Sequence, residues 1–170
     1  MKSLARGAIA ATMLGSSPLA APAEDQPKPA ISQPIPKRQW RGIVVHHSDS
    51  PEWTTVKDID RWHRERTPPF DEIGYHYVIT TDGKAHVGRS LNKHGAHAKG
   101  PRNETHIGIC LIGKKTFTPQ QKQTLGRLIN SLMRQYPIEI VERHHEECPG
   151  AGIDVEQLDQ TVKQYNEKRL

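Results

Sequence analysis

Apolar and polar positions along this chain follow two periods, and the switches between them predict its elements. GIVVHHS, residues 42–48, is rich in β-branched residues and predicts a strand. Thr55 then offers an N-cap with Asp58 at the capping-box position, followed by Val56, Ile59 and Trp62 at helical spacing. That helix is expected to run to about Arg66, where Thr67-Pro68-Pro69 stops it. GYHYVITTDGKAHVGR predicts two strands joined around Asp82-Gly83, a strong hairpin turn signal. IGICLIG, 107–113, is apolar throughout, which suits a central strand. Thr118-Pro119-Gln120-Gln121 combines an N-cap, a proline at the first helical position and a capping-box glutamine. Leu125, Leu128, Ile129, Leu132 and Met133 make the stripe of the helix that follows, and Tyr136-Pro137 ends it. IEIVER predicts a last strand. Asp154 with Gln157 opens a final helix whose inward residues are Val155, Leu158, Val162 and Tyr165. The sum is an α/β protein, a single compact domain with a mixed central β-sheet flanked by helices.

The pattern begins near Trp40, and what precedes it is different in kind. Residues 24–38, EDQPKPAISQPIPKR, are proline-rich without apolar period and are expected to form a linker. Residues 1–23 carry a positive front (Lys2, Arg6), a small-residue apolar middle and Ala21-Pro22-Ala23 as a cleavage site. They are expected to be a secretory signal peptide, with a retained weak anchor as the competing idea. The middle is too short and too weakly apolar for a permanent transmembrane helix. Export to the periplasm or the extracellular face of the envelope follows, with residues 39–170 as the working domain.

Loss of residues 1–23 would lower the net charge from +5 to +3. That surplus tolerates an anionic polymer as partner. No Lys/Arg run or recognisable motif marks a nucleic-acid binder.

Chemistry concentrates at RHHEECPG, 143–150. His144 and Cys148 are four apart and both side chains ligate zinc, although a polar turn with a buried cysteine would read the same way. The chain has ten histidines, and two pairs, His46-His47 and His144-His145, end the first and last expected strands. Successive strand residues face opposite ways, so at most one of each pair should reach a shared ion. One from each pair plus Cys148 would make a three-ligand site with the fourth position left for water, the catalytic form of zinc. The other cysteine, Cys110, lies in the apolar run and is expected to pack as a small hydrophobe. A Cys110–Cys148 disulfide is the alternative that an exported protein invites.

IVVHHSDS, DIDRWHRER, IGYHYVITTDGKAHVGR, GAHAKGPRNETHIGICLIG, FTPQQ and HHEECPG occur in that order. Together they resemble the type 2 N-acetylmuramoyl-L-alanine amidase family, phage lysozyme-type zinc amidases and peptidoglycan recognition proteins, over roughly residues 40–155. The resemblance implies hydrolysis of the amide between N-acetylmuramic acid and L-alanine in peptidoglycan, using one Zn2+ per chain. It implies His46, His144 and Cys148 as the metal ligands and Tyr75 as the residue beside the attacking water. His97 and Asn103 match a groove-lining segment and are expected to contact substrate, and Lys99 is expected to meet a stem-peptide carboxylate or simply to lie in solvent. The remaining histidines are expected to be satisfied on the surface or in strands, with one neighbour able to orient a ligand. Peptidoglycan or muropeptides are the expected partners, and a monomer the expected state.

Two departures qualify the resemblance. Family members space the second histidine and the cysteine further apart and carry a lysine in that loop to support the oxyanion. Here only His145, Glu146 and Glu147 intervene. Glu146 or Glu147 then takes an acid/base part, another cation approaches from elsewhere, or turnover is slow or absent and the protein is a recognition module. A periplasmic zinc buffer is a third reading of so many histidines. GPRNETHIG is also one residue longer than the related loop and ends in His106 where a small hydroxyl residue is usual.

Overall fold

The computed structural model describes residues 38–169. The expected signal peptide (1–23) and all but the last residue of the linker (24–38) lie outside them. Among the described residues, five strands form one sheet: β1 (Gly42–His47), β2 (Tyr77–Ile79), β3 (Ala85–Val87), β4 (His106–Leu111) and β5 (Ile140–Arg143). Their order is β3-β2-β4-β1-β5. Strand β1 runs parallel to β4 and β5, β2 runs parallel to β4, and only β3 is antiparallel, so the sheet is mixed as predicted.

The described residues also form four helices: α1 (Val56–Glu65), α2 (Arg102–Thr105), α3 (Pro119–Gln135) and α4 (Val155–Glu167). Both predicted capping boxes are formed. Thr55 and Asp58 exchange side-chain and backbone bonds at α1, and Thr118 and Gln121 do so at α3. Each box satisfies two backbone donors that the first helical turn leaves open. Gln121 does more than cap. Fully buried, it donates through Nε2 to the carbonyls of Ile79 and Ile112 at 3.2 and 2.8 Å, tying α3 to the ends of β2 and β4.

The two sheet faces are unequal. Ile43, Val45, Ile79, Ile107, Ile109 and Leu111 pack into the main core with the inner residues of α3 and α4. The opposite face carries a smaller cluster in which Val78, Cys110 and Ile112 meet Ile59 of α1 and Ile73. Here the helical stripe read from sequence needs amending. Ile59 is buried, but Trp62 is 41% exposed, and His63 sits one turn on from Ile59 with its ring 5.2 Å from that of Tyr75. A short helix over a small cluster leaves part of this face uncovered, and that opening is where the chemistry lies.

Candidate metal centre

His46 is the fifth residue of β1 and opposes Cys110 of β4 in the parallel register. Strand alternation turns its side chain to the less covered face, where it is 1% exposed. His144 follows directly on β5, the strand on the other side of β1. A tight turn, with His145 and Cys148 exchanging backbone bonds of 3.3 and 3.0 Å, folds Cys148 back toward β1. The His47 N–H then donates to Cys148 Sγ at 3.4 Å. One ligand atom from each of His46, His144 and Cys148 lies within 4.8 Å of the other two. Donors about a tetrahedral zinc stand about 3.5 Å apart, given bonds near 2.0–2.3 Å, so this cluster fits a zinc ion after small adjustment.

Both cysteines are free thiols, so the alternative disulfide is not formed. Cys110 is buried beneath the site, where burial pushes its thiol well above the usual range. Burial, then the neighbouring His97 and His144, depresses His46 strongly, and burial followed by His145 lowers His144. Both rings are thereby kept neutral, the state that ligates metal. Burial also raises Cys148, against the His47 N–H that favours its thiolate, so metal uptake by this residue releases a proton.

Tyr75 reaches the centre because its segment is suspended from three sides. The N–H of Ile73 donates to Asp60 Oδ1 at 2.8 Å and that of Gly74 to His63 Nδ1 at 2.9 Å. Buried Arg89 donates through Nε to the Ile73 carbonyl at 3.0 Å. The Tyr75 ring stands 5.0 Å from that of His46, and burial keeps its phenol protonated well beyond the ordinary range.

A cleft of about 680 Å³ opens over these groups, lined among others by His46, Tyr75, His144, Glu147 and Cys148. Lys114 and Lys115, from the loop after β4, also line it. Lys114 is paired with Asp49 at 2.6 Å. Glu147 thus lies at the cleft, whereas Glu146 is exposed and does not line it. On the other side of His144 is a second hollow of about 360 Å³, where His97, Lys99 and Asn103 meet Arg66 and Phe70. Lys99 is exposed there, while His97 and Asn103 turn inward. Asn103 Oδ1 accepts the N–H groups of His97 and Ala98 at 2.9 and 2.8 Å. His97 bonds to His46 through Nδ1 at 3.0 Å and to the His106 carbonyl through Nε2 at 3.1 Å.

Sequence reasoning missed Arg102, Lys114, Lys115 and Arg66. The two lysines directly follow a central strand on the edge that also bears His46, so their position in IGKK was the available signal. Arg102 belongs to the lengthened loop, whose single helical turn, α2, is too short to show periodicity.

A mixed sheet flanked by helices, with three side chains that could hold a metal ion gathered at the ends of β1 and β5, defines the class as a single-sheet α/β protein. Residues 36–151 match the family profile described as N-acetylmuramoyl-L-alanine amidase, and the chain belongs to that family in its type 2 form, with the peptidoglycan recognition proteins. An endolysin of Klebsiella phage KP32 is 33% identical over 126 residues, spanning 68% of this chain and 82% of its own. The solved amidase LysC from Clostridium intestinale is 33% identical, with TM-score 0.67 over 74% of this chain and 87% of that one. Drosophila PGRP-LB, solved with tracheal cytotoxin, is 26% identical with TM-score 0.61, covering 70% and 80%.

Proposed function

We propose that this protein is a zinc-dependent N-acetylmuramoyl-L-alanine amidase, exported to the cell envelope behind a signal peptide and acting on peptidoglycan as a monomer. The observation that carries the reading is the convergence of His46, His144 and Cys148 with Tyr75 at the floor of one cleft. His46, His144 and Cys148 would hold the zinc ion, which would supply Lewis acidity toward the amide carbonyl and the attacking water.

The chain's own residues do the rest. Tyr75, held protonated and paired with Cys110 in the free protein, turns its O–H to donate a hydrogen bond to the oxygen of the scissile carbonyl as negative charge develops there. Glu147, at the cleft wall, accepts a proton from the attacking water and returns it to the alanine nitrogen as the C–N bond breaks. Glu146, which the same sequence argument offered, lacks that position. Lys114 and Lys115 bring positive charge to the cleft from the β4–α3 loop, in place of the lysine missing from 145–147. Lys99 and Arg66, beside the second hollow, are placed to meet a stem-peptide carboxylate.

The test is to incubate the protein with purified sacculi and to look by mass spectrometry for soluble peptides with a free N-terminal L-alanine. Release that stops on chelation and returns with zinc supports the reading; no release across pH 5–9 with zinc present overturns it. The short, lysine-free turn favours a second reading, a recognition protein without turnover. Muropeptide binding that survives His144→Ala, with no product from either protein, would select it.

A further inference from the structure

We propose that His97 is a positioning residue that fixes the tautomer of His46, so that the Nδ1 lone pair of His46 is presented to the metal. This rests on the metal centre proposed above, and it gives His97 a different part from the substrate contact expected from sequence.

The chain of hydrogen bonds has a direction. The His106 carbonyl can only accept, so the Nε2 that lies 3.1 Å from it on His97 carries the hydrogen. A neutral imidazole has one N–H, so His97 Nδ1 is the acceptor and His46 Nε2, at 3.0 Å, must donate to it. The remaining nitrogen of His46, Nδ1, is left with its lone pair. In the other tautomer that nitrogen would hold a hydrogen and could not ligate.

The surroundings are shaped to hold His97 and little else. Its ring stands edge-on to His46, with centroids 5.0 Å apart at 82°. Asn103 grips the backbone on both sides of the ring through Oδ1, and its own carbonyl accepts the Gly95 N–H at 2.8 Å. A Cβ on Gly108 would come within 2.4 Å of the His97 ring, and one on Gly95 within 2.3 Å. The slot exists because both positions are glycine. At 8% exposure, with both nitrogens engaged, His97 has no polar atom to offer a ligand. Partners of this kind fix ring orientation, and their removal commonly costs 10- to 100-fold in metal affinity.

The experiment has one arm without metal. Long-range 1H–15N correlation spectra of the metal-free full chain should show His46 protonated at Nε2; a parent protonated at Nδ1 overturns the proposal. His97→Leu, which has no acceptor, should give a mixture of His46 tautomers. It should also lower zinc affinity about 10- to 100-fold in competition with a chromophoric chelator. His97→Asn, whose Oδ1 falls near the former Nδ1, should recover most of that loss and restore the single tautomer. Zinc affinity within twofold of the parent in His97→Leu overturns the proposal. If His97→Leu does not fold, the parent's tautomer and the His97→Asn affinity decide. A parent that shows the Nε2 tautomer yet binds no zinc defeats the amidase reading instead.

Discussion

Arg102 grips the backbone that presents His144: its Nη1 and Nη2 both donate to the His144 carbonyl at 3.3 Å, across 42 residues of sequence. Nη1 also reaches the Arg143 carbonyl and the Glu142 carboxylate, each at 3.4 Å. The guanidinium therefore fixes how the chain leaves β5, just where His144 and the turn to Cys148 begin. Arg102→Met keeps the aliphatic stem and removes the fork. It should weaken zinc binding on the order of tenfold, as losing a ligand's supporting contact does. The pair with Glu142 is about one-third exposed, so the accompanying loss of stability should be only about 1 kcal/mol. Chelator competition and urea denaturation measure the two effects separately, and unchanged affinity would remove Arg102 from the site.

Tyr75→Phe isolates a single hydroxyl. The ring's neighbours are His46, His63 and His97, which the phenylalanine retains, so the metal-to-protein ratio should not change. If the phenol steadies the developing oxyanion, kcat should fall by about 100- to 1,000-fold. The check pairs metal analysis with release of stem peptides from sacculi. A variant within threefold of the parent would leave Tyr75 as packing.

Gln121 shows that a residue chosen correctly for one local reason can have a second that no local pattern reveals. Its capping-box position was legible, but its buried bonds to the Ile79 and Ile112 carbonyls join it to residues far along the chain and close in space. Gln121→Leu preserves size, breaks the box and leaves the Ile112 carbonyl without this donor, while the Ile79 carbonyl keeps the Ile112 N–H. The expected loss is about 2–4 kcal/mol, from one capping contact and the buried Ile112 carbonyl left without a donor. Urea midpoints at constant m test this, and a loss below 1 kcal/mol would mean that other donors or water replace the amide.

The same distinction separates what sequence could and could not supply elsewhere. Strand β1, the hairpin at Asp82-Gly83 and the boxed helices α1 and α3 follow from neighbouring residues, and all were legible. The convergence of His46, His144 and Cys148 was partly legible: strand alternation lets only one of each histidine pair face a shared point, and the resemblance chose which. The loop from Gly95 to Thr105 was not. A loop has no period from which to infer direction, so His97 and Asn103 were expected to face the groove. Both do line the hollow beside His144, but the polar atoms of His97 turn toward strand β4, because the Gly108 position leaves room for its ring and the His106 carbonyl offers it a partner. That Lys114 and Lys115 line the same cleft as Glu147 was visible only in the folded chain.

Acid should unfold this protein in part through His76. The ring is fully buried, donating from Nε2 to the Lys93 carbonyl at 3.2 Å and accepting the Gly108 N–H at Nδ1 at 3.0 Å. Protonation of Nδ1 would place two hydrogens face to face and a charge in an apolar wall. Burial accordingly lowers the group from 6.5 to about 4 in the folded protein, against the opposing pull of the Lys93 carbonyl. Between those values the unfolded chain holds a proton that the folded chain does not, so stability rises with pH across the window. The contribution is complete above pH 6.5, declines as pH falls toward 4 and changes little below that. A displacement of this size corresponds to roughly 3 kcal/mol at the acid end of the window. His76→Gln, whose amide titrates nowhere in the range, should be less stable than the parent at pH 7.5 and show a flatter slope from pH 6.5 to 4. Urea denaturation of both proteins at half-unit pH steps makes the comparison. Parallel slopes would mean that His76 is not among the groups that acid must charge.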